Sequence, residues 1–219
     1  TFDNSKSSTY SAVKESDGGE PLSFEVDYGS GKVTGLQASD SVRLGNLTLS
    51  RVVFGEVDFE DRDIQSFMMD GIAGLGFRGL AMVTKPTLLE LLRSEHQIDY
   101  FSMYLSNKPS TESHLVFGGY DLSVVGPNAT WHYTPVVKRG LDLKYWTVKL
   151  FGVASSCNDG CYAIVDSGTS GIAIPDQDYD SVVAFVTSGV SNCRDVTCYY
   201  ATVDDFPTLT FNLAPDNEF

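Results

Sequence analysis

Between Leu22 and Tyr28 the chain alternates: Leu22, Phe24, Val26 and Tyr28 are apolar or aromatic, while Ser23, Glu25 and Asp27 are polar. A period of two is the signature of a strand with one buried face, and Gly29-Ser30-Gly31 directly after it is a turn signal. The same pattern continues through Val33, Val42-Arg43-Leu44, Leu47, Leu49 and Val52-Val53-Phe54, with breaks expected at Gly35 and at Gly45-Asn46. Asn and Gly tolerate positive φ and so suit hairpin turns. An antiparallel, hairpin-rich first half follows. Two helices interrupt it. Pro86 marks the start of one, with Leu88, Leu89, Leu91 and Leu92 as its apolar stripe. Pro175 opens the other, where Tyr179, Val182, Val183 and Val186 keep helical spacing. The expected class is mostly β with a few short helices.

The 219 residues have room for one large or two small domains with a real core. Gly118-Gly119-Tyr120-Asp121 and Gly126-Pro127-Asn128 are loop material, and Trp131-His132-Tyr133-Thr134-Pro135-Val136 begins a new extended run. A boundary is therefore expected near residue 133, giving units of 1–133 and 134–219. At the far end, Pro207-Thr208-Leu209-Thr210-Phe211-Asn212-Leu213 alternates like a further strand. No apolar run approaches the ~18 residues a membrane-spanning helix needs. The first residues carry neither the basic nor the apolar stretch of a leader, which a secreted protein would have lost. A net charge of −14 repels phosphate backbones and anionic lipid, so nucleic acid is excluded as a partner.

The 4 cysteines fall into two close pairs, Cys157/Cys161 and Cys193/Cys198. Sequence alone does not choose among the three pairings; the tight spacing and Gly160 favour local bridges, as in secreted proteins, with a zinc site as the rival. Asn46-Leu47-Thr48 and Asn128-Ala129-Thr130 are glycosylation sequons in turn-rich stretches.

Several motifs carry little. Gly74-Leu75-Gly76-Phe77-Arg78-Gly79 matches a dinucleotide fingerprint in letters only, because Pro86 delays the helix and the surroundings are antiparallel. Ser170 fails the nucleophile-elbow pattern, and no His-Glu-x-x-His occurs, so no cofactor or metal is expected. Ala163-Ile164-Val165-Asp166-Ser167-Gly168-Thr169-Ser170 differs in kind. An apolar strand leads into an acid surrounded by donors: the Gly168 N–H and the hydroxyls of Ser167, Thr169 and Ser170. The plain reading of such a segment is an Asx turn. The density of donors is what a carboxylate held in one orientation requires, since hydrogen bonds to its charged form favour that form.

Taken together, these segments resemble the pepsin-like aspartic proteases, in the order that family has them. Asp166-Ser167-Gly168-Thr169-Ser170, after the Cys157/Cys161 loop, resembles the second catalytic signature. Tyr28-Gly29-Ser30-Gly31 resembles the flap hairpin whose Tyr closes over substrate. Asp70-Gly71-Ile72-Ala73-Gly74-Leu75-Gly76 resembles the segment beneath the first catalytic loop, and Phe117-Gly118-Gly119-Tyr120-Asp121 and Tyr145-Trp146 also fall where the family has similar residues. The resemblance implies a bilobal β fold, peptide or protein substrates, a monomer, and a secreted, lysosomal or vacuolar setting. It makes Asp166 a catalytic residue, and Met69, Ile72 and Ile164 walls of the pockets flanking the scissile bond. Two departures matter. No acid before Tyr28 (Asp3, Glu15, Asp17, Glu20, Glu25, Asp27) is followed by Ser/Thr-Gly, so the first catalytic Asp is expected upstream of these residues. The apolar-apolar-Gly segment expected under the second Asp loop is also missing, so both lobes are expected to be incomplete here, and the chain alone inactive.

Overall fold

A computed structural model of the chain describes residues 2–84, 86–153 and 156–213. They divide into two compact units, Thr1–Ala129 and Thr130–Phe219. Both are built mainly of antiparallel strands with a few short helices.

In the first unit, β1 (Ser11–Ala12), β2 (Ser23–Tyr28), β3 (Gly31–Leu44) and β4 (Leu47–Glu60) make one sheet. β3 pairs with β4 from Val33↔Glu60 to Leu44↔Leu47. A strand has two edges, so β2 and β1 share the other one: β2 faces residues 31–36, and β1 faces Ala38 and Ser39. Gln37 sits at the join. Its N–H donates to the Leu22 carbonyl at 2.7 Å, and its own carbonyl accepts from Val13 N–H at 2.9 Å. The buried Gln37 side chain is held at both of its polar atoms: Nε2 donates to the Ser23 carbonyl at 3.1 Å, while Oε1 accepts from Thr84 N–H and Oγ1, both at 2.7 Å.

Gly35 does not break the strand as the composition suggests. β3 runs through it with a register shift between Thr34 and Gly35. Glycine is needed there first because a Cβ would run into the Glu56 carbonyl of β4, and second because the buried Phe24 ring lies against it, as it does against Gly55. The turn at Gly45-Asn46 forms as expected, with Gly45 at φ +60°.

After β4 the chain makes the short helix α1 (Arg62–Gln65), a glycine-rich loop, and α2 (Leu88–His96). Leu91 and Leu92 of α2 pack on Leu49 and Val52 of β4, ringed by Val42, Leu44, Ile98 and Phe117. The apolar stripe of α2 is thus spent on the sheet. Thr87, one residue beyond Pro86, caps the helix: its hydroxyl accepts from Glu90 N–H at 3.3 Å and Glu90 accepts from Thr87 N–H at 2.8 Å. Reciprocal caps of this kind satisfy two otherwise orphaned donors, so Thr87→Ala is expected to cost about 1 kcal/mol in chemical denaturation. The unit closes with the hairpin β5 (Phe101–Tyr104) and β6 (His114–Phe117), paired from Phe101↔Phe117 to Tyr104↔His114.

Glu90 also binds Arg78, and this contact, more than the cap, holds its carboxyl below the usual glutamate range. A carboxyl whose folded pKa is depressed stabilises the fold above its unfolded pKa and loses that contribution as pH falls through the folded value. Lowering the pH from about 5 to 3 is therefore expected to cost wild type more stability than Glu90→Gln. Thermal midpoints of the two proteins across that range check it; parallel curves contradict it.

In the second unit, β7 (Thr147–Val153) lies between β8 (Cys161–Ile164) and the third strand of its sheet, with Val148 and Leu150 buried. α3 (Asp176–Val186) starts after Pro175 and buries Val182. β9 (Cys193–Arg194) and β10 (Thr197–Cys198) form a small hairpin, and β11 (Phe211–Leu213) completes the β7 sheet. Of the alternation from Pro207 to Leu213, Phe211–Leu213 forms strand, paired with β7 from Leu150 to Val153. Trp131–Val136 makes no strand either, although Val137 N–H reaches the Thr147 carbonyl at 2.7 Å. Cys157 is bonded to Cys161 and Cys193 to Cys198, the latter two being register partners across β9 and β10. Asn46 and Asn128 are both exposed. Among the described residues no helix is long and apolar enough to cross a membrane.

Candidate active site

Asp166 is delivered by strand pairing. β8 pairs with β7 from Cys161↔Leu150 to Ile164↔Thr147, and Val165 N–H extends the ladder to the Trp146 carbonyl at 3.0 Å. The disulfide loop before β8 is tied to the same partner strand, since Gly152 N–H donates to the Cys157 carbonyl at 3.0 Å. Beyond Val165 the chain leaves the sheet, and the turn at Ser167-Gly168 folds back on the acid.

Two of the four expected donors reach the carboxylate. Gly168 N–H donates to Oδ1 at 2.9 Å and Thr169 Oγ1 donates to Oδ2 at 2.7 Å. One donor on each oxygen fixes the plane of the carboxyl group. Thr169 N–H also closes the turn on the Asp166 carbonyl at 3.3 Å. Among the described residues no hydrogen bond joins Ser167 or Ser170 to the carboxylate. Gly168 is explained by proximity: a Cβ there would stand 3.2 Å from Oδ1, crowding the oxygen its own N–H holds. Asp166 and the turn after it are exposed, so both oxygens retain lone pairs facing solvent.

The hairpin carrying Tyr28 is built as the alternation requires. Tyr28 pairs with Gly31 across Gly29 and Ser30. Tyr28 is partly covered, and burial pushes its phenol above the ordinary tyrosine value. On the hairpin, Lys32 Nζ meets Glu25 Oε1 at 2.7 Å, and this contact leads the rise of the lysine above its usual range. Past the turn, Lys32 is gripped from the other side by Asp61. Its N–H donates to Asp61 Oδ2 at 2.8 Å, and its carbonyl accepts from Asp61 N–H at 3.0 Å.

Asp70 to Gly76 forms no helix or strand. Met69, Ile72 and Ile164 are all more than half exposed, at 60%, 56% and 52%. Met69 and Ile72 lie in the first unit and Ile164 in the second. Gly79 falls in a single 3₁₀ turn, Arg78–Leu80, so the dinucleotide lettering has no helix of the required kind. Sequence reasoning missed Gln37, Asp61 and Thr84. Gln37 had a signal, a polar residue in a run bound for the core. Asp61 had none, because an Asp before a helix reads as an ordinary N-cap.

A family model described as eukaryotic aspartyl protease matches residues 1–218. Among curated relatives, pepsin A of Bos taurus is 26% identical over 220 residues, which cover 97% of this chain and 56% of the relative. Cathepsin E of Mus musculus is 33% identical over 221 residues, covering 96% and 52%. Gastricsin of Cavia porcellus is 30% identical over 220 residues, covering 96% and 52%. The chain spans about half the length of the curated relatives it matches.

Proposed function

The chain belongs to the eukaryotic aspartyl protease family, and from that premise we propose that it is the part of an acid endopeptidase that contributes one of two catalytic aspartates, Asp166. The supporting observation is the carboxylate at the end of β8, fixed through both oxygens by Gly168 and Thr169. No other Asp-Ser/Thr-Gly occurs in the 219 residues, so the partner carboxylate is supplied from outside them.

Two carboxylates a few Å apart share one proton, because like charges that close do not both ionise. The ionised member takes a proton from a water held between them. That water forms the new C–O bond at the peptide carbon, while the protonated member gives its proton to the carbonyl oxygen. Collapse of the tetrahedral intermediate breaks the C–N bond, and a proton passes to the leaving nitrogen. In this chain Asp166 would serve as one member, with Gly168 and Thr169 keeping its plane fixed through the exchange. Tyr28 on its hairpin would close over the substrate and exclude water. Met69, Ile72 and Ile164 would offer apolar surface to large hydrophobic residues on either side of the cut. In lobe terms, residues 1–133 would carry the flap and 134–219 the Asp166 loop.

The two disulfides fit an oxidising route, and we place the protein in a secreted, lysosomal or vacuolar setting, as a monomer with glycans at Asn46 and Asn128. The second reading is a pepsin-fold peptide-binding protein without catalysis, or a fragment without function.

The test is acid-pH digestion of a denatured protein by the chain extended at both ends, so that it includes the first catalytic loop and the segment beneath the second, beside the 219 residues alone. Cleavage by the extended protein, blocked by a statine-type peptide inhibitor, with none by the shorter one, is the expected result. An extended protein that binds the inhibitor without cleaving supports the second reading, and one that does neither overturns both.

A further inference from the structure

Asp61 stands at the N-cap of α1, where an aspartate ordinarily turns its carboxylate onto the first free N–H groups of its own helix. It makes no such bond. Its Oδ2 instead accepts from the backbone N–H of Lys32 at 2.8 Å, while its own N–H donates to the Lys32 carbonyl at 3.0 Å. The β3–β4 ladder ends at Val33↔Glu60. One residue on, β4 leaves the sheet for α1, and no main-chain carbonyl is left to accept from Lys32. The carboxylate stands in for that carbonyl and carries the ladder one step further towards the hairpin tip. Gly31 shows how close the fit is. It has φ +137°, and a Cβ on it would lie 2.8 Å from Asp61 Cβ. Tyr28 is the cross-strand partner of that same glycine.

Resting on the reading of this hairpin as a substrate-covering flap, we propose that Asp61 is the positioning residue of the flap, its carboxylate bracing the strand opposite Tyr28 so that the phenol is presented at one fixed height. The brace trades a helix cap for a hold on the hairpin. Local propensity gives way to a tertiary contact, as happens where a site needs its geometry fixed. The acceptor is what matters, and its charge is secondary. Asp61→Asn keeps an oxygen for Lys32 N–H, whereas Asp61→Ala leaves that donor to water. Gly31→Ala meets the brace from the other side.

Amide hydrogen exchange on the 219-residue chain tests the brace without any need for catalysis. Asp61→Ala is expected to speed exchange at Lys32 roughly tenfold or more, as an amide moves from a protected to an opening segment. Asp61→Asn should stay near wild type, with unchanged exchange at Leu49 and Leu92 in both. Equal protection of Lys32 in wild type and Asp61→Ala overturns the brace, and so does global loss in Asp61→Ala with no rescue by Asn. In the extended protein that cleaves peptide, Asp61→Ala should raise KM several-fold more than it lowers kcat, and Asn should restore KM. A braced amide with unaltered KM overturns the positioning role, while absence of cleavage in the unsubstituted protein bears on the proposed function and leaves the exchange result to judge the brace.

Discussion

Asp166→Asn is expected to lower peptide hydrolysis by roughly 10²–10⁴-fold, the range a positioned acid–base group contributes, with little change in KM. The substitution is nearly isosteric. Gly168 N–H and Thr169 Oγ1 hold the two carboxylate oxygens at 2.9 and 2.7 Å, and the Asn carbonyl oxygen accepts the bond from Gly168 unaltered. Thr169 then faces an NH₂ and can turn its hydroxyl to accept from it. What disappears is the ability to give up or share a proton, since an amide neither ionises nor protonates in this range. Steady-state kinetics of the extended protein decide it. A variant retaining more than about a tenth of wild-type kcat removes Asp166 from the chemistry, because an acid–base group is worth at least ~100-fold. Thermal unfolding alongside is expected to be unchanged, since the group is exposed.

Gly35→Ala carries the largest expected structural effect. A Cβ there would sit 2.0 Å from the Glu56 carbonyl oxygen and 2.9 Å from Phe24 Cε1. The first of these is backbone in the paired strand, so β3 and β4 must separate at the point where their register already shifts. Overpacking in a fitted interior costs about 1–3 kcal/mol, and displaced main chain places Gly35→Ala at or above the top of that range. Gly55→Ala makes the informative comparison. Its Cβ would lie 2.2 Å from Phe24 Cζ, with only ring atoms among its nearest neighbours. Truncating Phe24 should therefore relieve Gly55→Ala and leave most of the Gly35→Ala penalty in place. Urea unfolding of the two double variants checks this. Equal relief of both contradicts the assignment of the Gly35 clash to backbone.

These two glycines also show how far the sequence could be read. The alternation from Leu22 to Tyr28, the two-residue turn after it and the leucine stripe of α2 are local patterns, and local patterns form here as written. Gly35 looked like an interruption because its reason, the Glu56 carbonyl of the paired strand, lies far away in sequence. Thr87 was hidden behind Pro86 for the opposite reason: the cap is local, but the more conspicuous residue stands one place earlier. Pro207 to Thr210, read as part of an alternating strand, and Trp131 to Val136, read as an extended run, form no strand pairing among the described residues. At the site, Asp166 and its turn were legible because carboxylate and donors lie within four residues. Ser167 and Ser170 were expected to donate, and the two bonds the carboxylate accepts come from Gly168 and Thr169 instead. Asp61 was beyond reach, as its role depends on where β4 ends against β3.

Whether Asp166 shares a proton with a second carboxylate is tested most directly by the pH dependence of kcat/KM in the extended protein. A shared-proton pair titrates as a unit with two macroscopic pKa values, so the profile should be bell-shaped, with both limbs on the acid side of about pH 6, and Asp166→Asn should abolish it. A single rise towards neutral pH, or a bell that survives the substitution, contradicts the pair.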